Sequence, residues 1–191
     1  MKRAIAAVAA GAAVLLAGPA GAAASKAHAV ARMKTLDGKD AGSIDFAQTS
    51  HGVLIRFELH GLPPGAHAIA IHTSGNCDAA KGFNTAGPHF SPEPKLHGFM
   101  TKGGPHPGDL PNQFAAADGT LRASTISNMF ALGNGKKSIF DRDGAAIIVH
   151  AKPDDYASQP AGNSGERIAC GVIVRTVGPA SRKGASRRTH T

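Results

Sequence analysis

Val53, Ile55, Phe57 and Leu59 alternate with Leu54, Arg56, Glu58 and His60. An apolar period of two fits a half-buried β-strand and does not fit a helix. Leu62-Pro63-Pro64-Gly65 then forces a turn, because proline fixes φ and glycine accepts positive φ. Residues 66–72 form a second expected strand, with Ile69 and Ile71 on one face and Ala68, Ala70 and His72 on the other. Ile44 and Phe46 mark an earlier strand, entered from an Asp37-Gly38 turn, and residues 121–130, 145–151 and 168–176 read as later ones. No segment carries an amphipathic helical period of useful length, and no stretch repeats another. With Gly 24, Pro 12 and only 5% aromatic residues, the chain is rich in turns. The expected class is all-β, an antiparallel β-sandwich or barrel.

Between Ser74 and Asn112 no period is sustained, and the segment is rich in glycine, proline and histidine. Connections this long inside a compact domain are usually functional or disordered. A second polar loop spans residues 152–167. The last residues, 178–191 (GPASRKGASRRTHT), hold too little apolar surface to pack and read as a basic, disordered tail. At the other end, Lys2 and Arg3 precede an Ala/Val/Leu run to Ala17, then Gly18-Pro19 and small residues. That order is a secretory signal peptide over residues 1–24, with cleavage after Ala22 or Ala24. The competing reading, a membrane anchor, is weakened by Gly18, Pro19 and Gly21, which interrupt the run. No cysteine follows it that could carry a lipid. The expectation is an exported protein, periplasmic or secreted, without a membrane span.

The charge adds little. Lys2, Arg3, Arg182, Lys183, Arg187 and Arg188 all lie in the two termini, and taking these six from a formal net charge of +8 leaves +2. The body between them is nearly neutral, so no nucleic-acid partner is expected. A polyanion-binding role for the tail is a weaker possibility than a solvated one.

Cys77 and Cys170 are the only cysteines. In an oxidising compartment one disulfide is the expected outcome, with two free buried thiols as the alternative. His89, His97 and His106 lie in the long loop, with Asp109 three residues after the last. Three imidazoles and one carboxylate suit Zn²⁺, and such a clip would offset the closure entropy of an irregular loop. Scattered surface histidines would give the same composition. His72 and His150 sit on expected strands instead, and with His89 they could make an all-imidazole site for copper or zinc.

In order along the chain, GLPPGAHAIAIHTSGNCD (61–78), AGPHFSPEPKLHG (86–98), GPHPGDLPN (104–112), IIVHAKPDDY (147–156) and GNSGERIACGVI (162–173) resemble the Cu,Zn superoxide dismutases of the bacterial periplasmic type. The resemblance runs from about residue 29 to residue 176, within an expected domain of 29–177. It implies a Greek-key β-sandwich with long metal-binding loops. It also implies His89, His97, His106 and Asp109 as zinc ligands, and His89 as the bridge to a copper held with His72 and His150. Arg167 matches the arginine that guides superoxide, and Asp154 the carboxylate linking a zinc-bound to a copper-bound histidine. Cys77 and Cys170 match the family disulfide.

One position departs. The family motif reads His-x-His where this chain has Ala70-Ile71-His72. Residues two apart on a strand share a face, so the absent imidazole would have pointed where His72 points. His67 lies an odd number of residues from His72, on the other face, and matches a different family histidine. Two readings follow. One is an enzyme that disproportionates superoxide to O₂ and H₂O₂ at a copper site weakened by the loss. The other is a non-catalytic, zinc-stabilised relative that binds copper weakly or not at all.

Overall fold

The computed structural model describes residues 27–176. The expected signal peptide and basic tail lie outside the described residues.

Nine strands carry the fold: β1 (His28–Thr35), β2 (Asp40–Thr49), β3 (Gly52–Leu59), β4 (Gly65–His67), β5 (Ile69–His72), β6 (Gln113–Ala115), β7 (Leu121–Ser127), β8 (Ala146–His150) and β9 (Arg167–Thr176). Seven pair antiparallel in the order β5-β8-β9-β1-β2-β3-β7, and β4 pairs with β6. Because β4 leads into β5 and β6 leads into β7, the two edges of the large sheet turn toward each other and the sheet curls into a sandwich. The connections from β3 to β4 and from β7 to β8 join strands that are not neighbours, which is the Greek-key arrangement. The only helical pieces among the described residues are two short 3-10 turns, Ala79–Lys81 and Asn84–Ala86.

The alternation read from β3 is what the structure shows. Val53, Ile55, Phe57 and Leu59 are buried, while Arg56 and Glu58 are exposed. They pack in the main core with Ile44 and Phe46 of β2, Met33 of β1 and Leu121 of β7. Two expectations need correction, and two strands have no counterpart in the sequence reading. The strand expected over 66–72 is broken at Ala68, whose amide donates to the Lys152 carbonyl and whose carbonyl accepts from the His150 amide. β7 ends at Ser127, short of Phe130, which instead turns into the core. β1 and the three-residue β6 carry too few bulky apolar side chains to be legible, for β1 buries Ala29, Ala31 and Met33.

What positions the functional region is that β5 and β8 are buried on both faces. Ile69, Ile71, Ile147 and Val149 face the main core. On the reverse face Ala146 and Ile148 pack with Phe83, Ala86 and Cys170 in a second cluster, under the long loop. Cys77 and Cys170 are joined by a disulfide with Cα atoms 5.7 Å apart, an ordinary span for such a bond. It fastens the start of the long loop to β9.

Candidate metal centre

The covered face of β5 and β8 carries Ala70, His72 and His150. Ala70 lies opposite Ile148 and His72 opposite Ala146, so these side chains point to the same side of the sheet. The loop joins the free edge of β5 as an added strand. The Phe90 amide donates to the Ile71 carbonyl at 2.7 Å, and the Ile71 amide donates to the Gly108 carbonyl at 2.9 Å. Gly108 is needed there, because a Cβ would collide with the Ile71 carbonyl. This pairing sets His89 beside His72, with ring centroids 4.9 Å apart.

Two groups of donors result. His89, His97, His106 and Asp109 form one, and His72, His89 and His150 the other, each with its donor atoms within 4.8 Å of one another. His89 belongs to both. Its Nδ1 donates to Asp109 Oδ1 at 2.8 Å, while its Nε2 is buried without a partner. The Nε2 atoms of His72 and His150 and the Nδ1 of His97 are likewise buried and unpartnered. Buried polar atoms are rarely left so; the three Nε2 atoms converge in the second group, while His97 Nδ1 faces the first, 3.2 Å from Asp109 Oδ2, and a metal ion in each group would satisfy them.

The other nitrogen of each ring is held by a separate anchor. Carbonyls only accept, so His72 Nδ1 carries a proton and donates to the Gly87 carbonyl at 2.8 Å. His150 Nδ1 faces Ser164 Oγ at 3.1 Å and the Gly165 carbonyl at 3.4 Å. His97 Nε2 donates to Asp154 Oδ1 at 2.9 Å, and His106 Nε2 to the Lys95 carbonyl at 3.1 Å. Such anchors fix which nitrogen is left to bind. Asp109 is enclosed, its Oδ2 accepting from the amides of Gly98 and His106 at 3.0 and 2.9 Å.

Electrostatics follow this layout. Burial first, then the neighbouring charges of His89, Arg167 and His150, hold His72 well below the usual histidine range. Burial likewise lowers His150 to about 4, so both rings are neutral at pH 7. Burial works against a charge on His97 too, but hydrogen bonds to Asp109 and Asp154 outweigh it and lift that ring to about 9 in the metal-free protein. Burial would raise Asp109, yet its bonds to His89 and His97 pull it far below the ordinary carboxylate range. This is a site built around fixed negative charge on one side and neutral imidazole on the other.

Arg167 lies beside the second group. Its Nη1 donates to the Phe83 carbonyl and its Nη2 to the Gly87 carbonyl, both at 2.8 Å. Gly87 thus accepts from both Arg167 and His72. Asp154 reaches His97 through Oδ1, which also accepts from the Tyr156 amide at 2.6 Å. The structure therefore brings together every candidate named from the sequence. Sequence reading missed Gly87, Ser164, Gln159 and Asn112. Gln159 clamps His97 through its backbone, accepting from the amide at 2.8 Å and donating to the carbonyl at 2.9 Å. Asn112 does the same for Asp154, at 2.8 and 2.9 Å. None of them carries a sequence signal beyond lying in a polar loop.

A curled Greek-key sheet carries two histidine-rich donor groups that share one imidazole, each of which could hold a metal ion. Residues 40–173 match the family model described as Copper/zinc superoxide dismutase (SODC). The chain belongs to the copper/zinc superoxide dismutase family. It is 44% identical over 148 residues to a Cu-Zn superoxide dismutase of Caulobacter vibrioides, covering 76% of this chain and 84% of that one. It is 38% identical over 141 residues to the superoxide dismutase-like protein YojM of Bacillus subtilis, covering 72% and 71%. The crystal structure of a SOD-like protein from Bacillus subtilis matches with a TM-score of 0.73 at 35% identity, covering 76% of this chain and 97% of that one. Membership implies copper and zinc as metals and superoxide as substrate. Among the described residues no helix is long and apolar enough to cross a membrane.

Proposed function

We propose that this chain is an exported, zinc-stabilised member of the family that disproportionates superoxide at a three-imidazole copper site, with lower activity than a four-imidazole site would give. His89, His97, His106 and Asp109 would hold zinc, and His72, His89 and His150 copper. The observation that carries this reading is the convergence of three unpartnered, buried Nε2 atoms beside the guanidinium of Arg167. Copper bound there supplies the one-electron redox step in both directions.

The protein's own groups do the rest. Arg167, held by two carbonyls, presents a fixed positive charge that attracts and orients a small anion. His89 Nε2 could hold a proton for the peroxide product when no metal engages it, since Nδ1 lies on the Asp109 side and would be the atom given to zinc. Asp154 orients His97 and so keeps Nδ1 aimed at zinc. The disulfide supports the exported reading, because such bonds persist in oxidising compartments. Residues 1–24 would be its signal peptide, with the mature domain over 29–177 and the basic tail over 178–191.

A second reading, a non-catalytic zinc protein, is favoured by the methyl group of Ala70, which stands on the donor face where an imidazole would reach the same metal. Reconstitution with copper and zinc, followed by superoxide decay at known copper occupancy, separates the two. Decay no faster than with zinc alone overturns the enzymatic reading.

A further inference from the structure

Three imidazole nitrogens and no fourth donor converge on the face of the sheet that carries Ala70. His72, His89 and His150 each leave Nε2 unpartnered, with Nδ1 committed to the Gly87 carbonyl, to Asp109, and to Ser164 and Gly165 respectively. No further His, Cys, Asp or Glu among the described residues joins that group. His67 is buried nearby, but its nitrogens both lie 2.7 Å from carbonyls, those of His150 and Pro63. Asp154 directs Oδ1 to His97 and the Tyr156 amide. The fourth position is therefore the methyl of Ala70, which is 2% exposed and faces Ile148, itself fully buried.

Cu(II) prefers a tetragonal set of nitrogen and oxygen donors. Cu(I) has a filled d shell and no such preference, so two or three donors can satisfy it. Removing one nitrogen from a four-nitrogen set therefore weakens Cu(II) more than Cu(I).

We propose that the His72–His89–His150 pocket is selective for the cuprous ion, so that Ala70 makes it a site that retains reduced copper. This rests on the reading that these three histidines hold copper. The experiment uses the zinc-loaded protein. Cu(I) affinity is measured without oxygen by competition with a cuprous chelator, and Cu(II) affinity by competition with an amino-acid chelator. The Cu(II) coordination is followed by electron paramagnetic resonance. The parent should bind Cu(I) at least tenfold more tightly than Cu(II). Ala70→His should cut that preference at least tenfold, a fall in potential of about 59 mV for one electron. A parent that binds Cu(II) as tightly as Cu(I) overturns the proposal, and this needs no variant to fold. Equal strengthening of both states in Ala70→His also overturns it, while leaving the copper reading intact. If His72→Ala leaves both affinities unchanged, copper is not held here, and the copper reading falls with the proposal.

Discussion

Asp109→Asn tests the zinc group most directly, because it removes the only anionic donor while keeping the side chain's shape. Asp109 Oδ2 accepts from the amides of Gly98 and His106, and Oδ1 lies 2.8 Å from His89 Nδ1 and 3.2 Å from His106 Nδ1. The asparagine oxygen would stay with the two amides, which can only donate. Its NH₂ group would then face the imidazoles, whose Nδ1 atoms can accept once neutral. The fold should survive, at a cost of about 1–3 kcal/mol for the lost charge-assisted bonds. Zinc should not survive equally well, since an amide nitrogen offers no lone pair to the metal.

Even outer partners of metal ligands are worth about 10–100-fold in affinity, so loss of a direct anionic donor should cost about 100-fold or more. At a fixed excess of zinc, a 100-fold weaker site gives up about 2.7 kcal/mol of linked stability. At about 2–4 °C per kcal/mol for a domain of this size, the zinc-induced rise in melting temperature should shrink by about 5–11 °C. Calorimetry of metal-free and zinc-loaded protein, parent against variant, reads that increment separately from the variant's own destabilisation. An undiminished increment in the variant would refute the assignment of Asp109 as a zinc donor.

Reducing the Cys77–Cys170 bond, which closes a sequence separation of 93 residues, should cost about 4–5 kcal/mol and lower the melting temperature by about 10–20 °C; unchanged thermal melts with and without reductant would contradict this. Because His97 is lifted to about 9 in the metal-free protein, zinc must displace its proton at neutral pH, and conditional zinc affinity should climb about tenfold per pH unit until about 9 and then level. By the same linkage, the stability His97 lends the metal-free fold is full below its ordinary 6.5 and lost as pH rises through about 9, so melting temperatures of the metal-free but not the zinc-loaded protein should fall across that window. Gly162→Ala should destabilise the fold by more than about 2 kcal/mol and weaken zinc, because Gly162 has φ +64 and its Cβ would land on Asp154 Oδ1 beside His97; denaturation with and without zinc checks both.

How much of this was legible in the sequence depends on what each residue has to do. β3 could be read because Val53, Ile55, Phe57 and Leu59 are bulky and regularly spaced, and the turn at Leu62–Gly65 because proline and glycine constrain φ. β1 escaped notice because its buried face is mostly alanine, Ala29 and Ala31, the latter packed against Gly171 together with Met33. The break at Ala68 follows from hydrogen bonds to Lys152 and His150, more than eighty residues along the chain, and no local pattern encodes it. The residues of the two donor groups were legible through the family's ordered blocks, whose side-chain chemistry is conspicuous. Their anchors were not, since a carbonyl such as that of Gly87 can come from any residue.

Those anchors explain how a site of this kind can lack one ring and keep the others in place. His72, His89 and His150 are each oriented by a different partner, and none of them leans on residue 70. His97, whose partner Asp154 would be shared with an imidazole at residue 70, is gripped at both backbone atoms by Gln159. An alanine at residue 70 therefore removes a donor without loosening the frame that aims the rest. On the proposed reading, the chemistry that suffers is the one needing four nitrogens around one ion, while the group proposed for zinc keeps its own carboxylate and its own clamps.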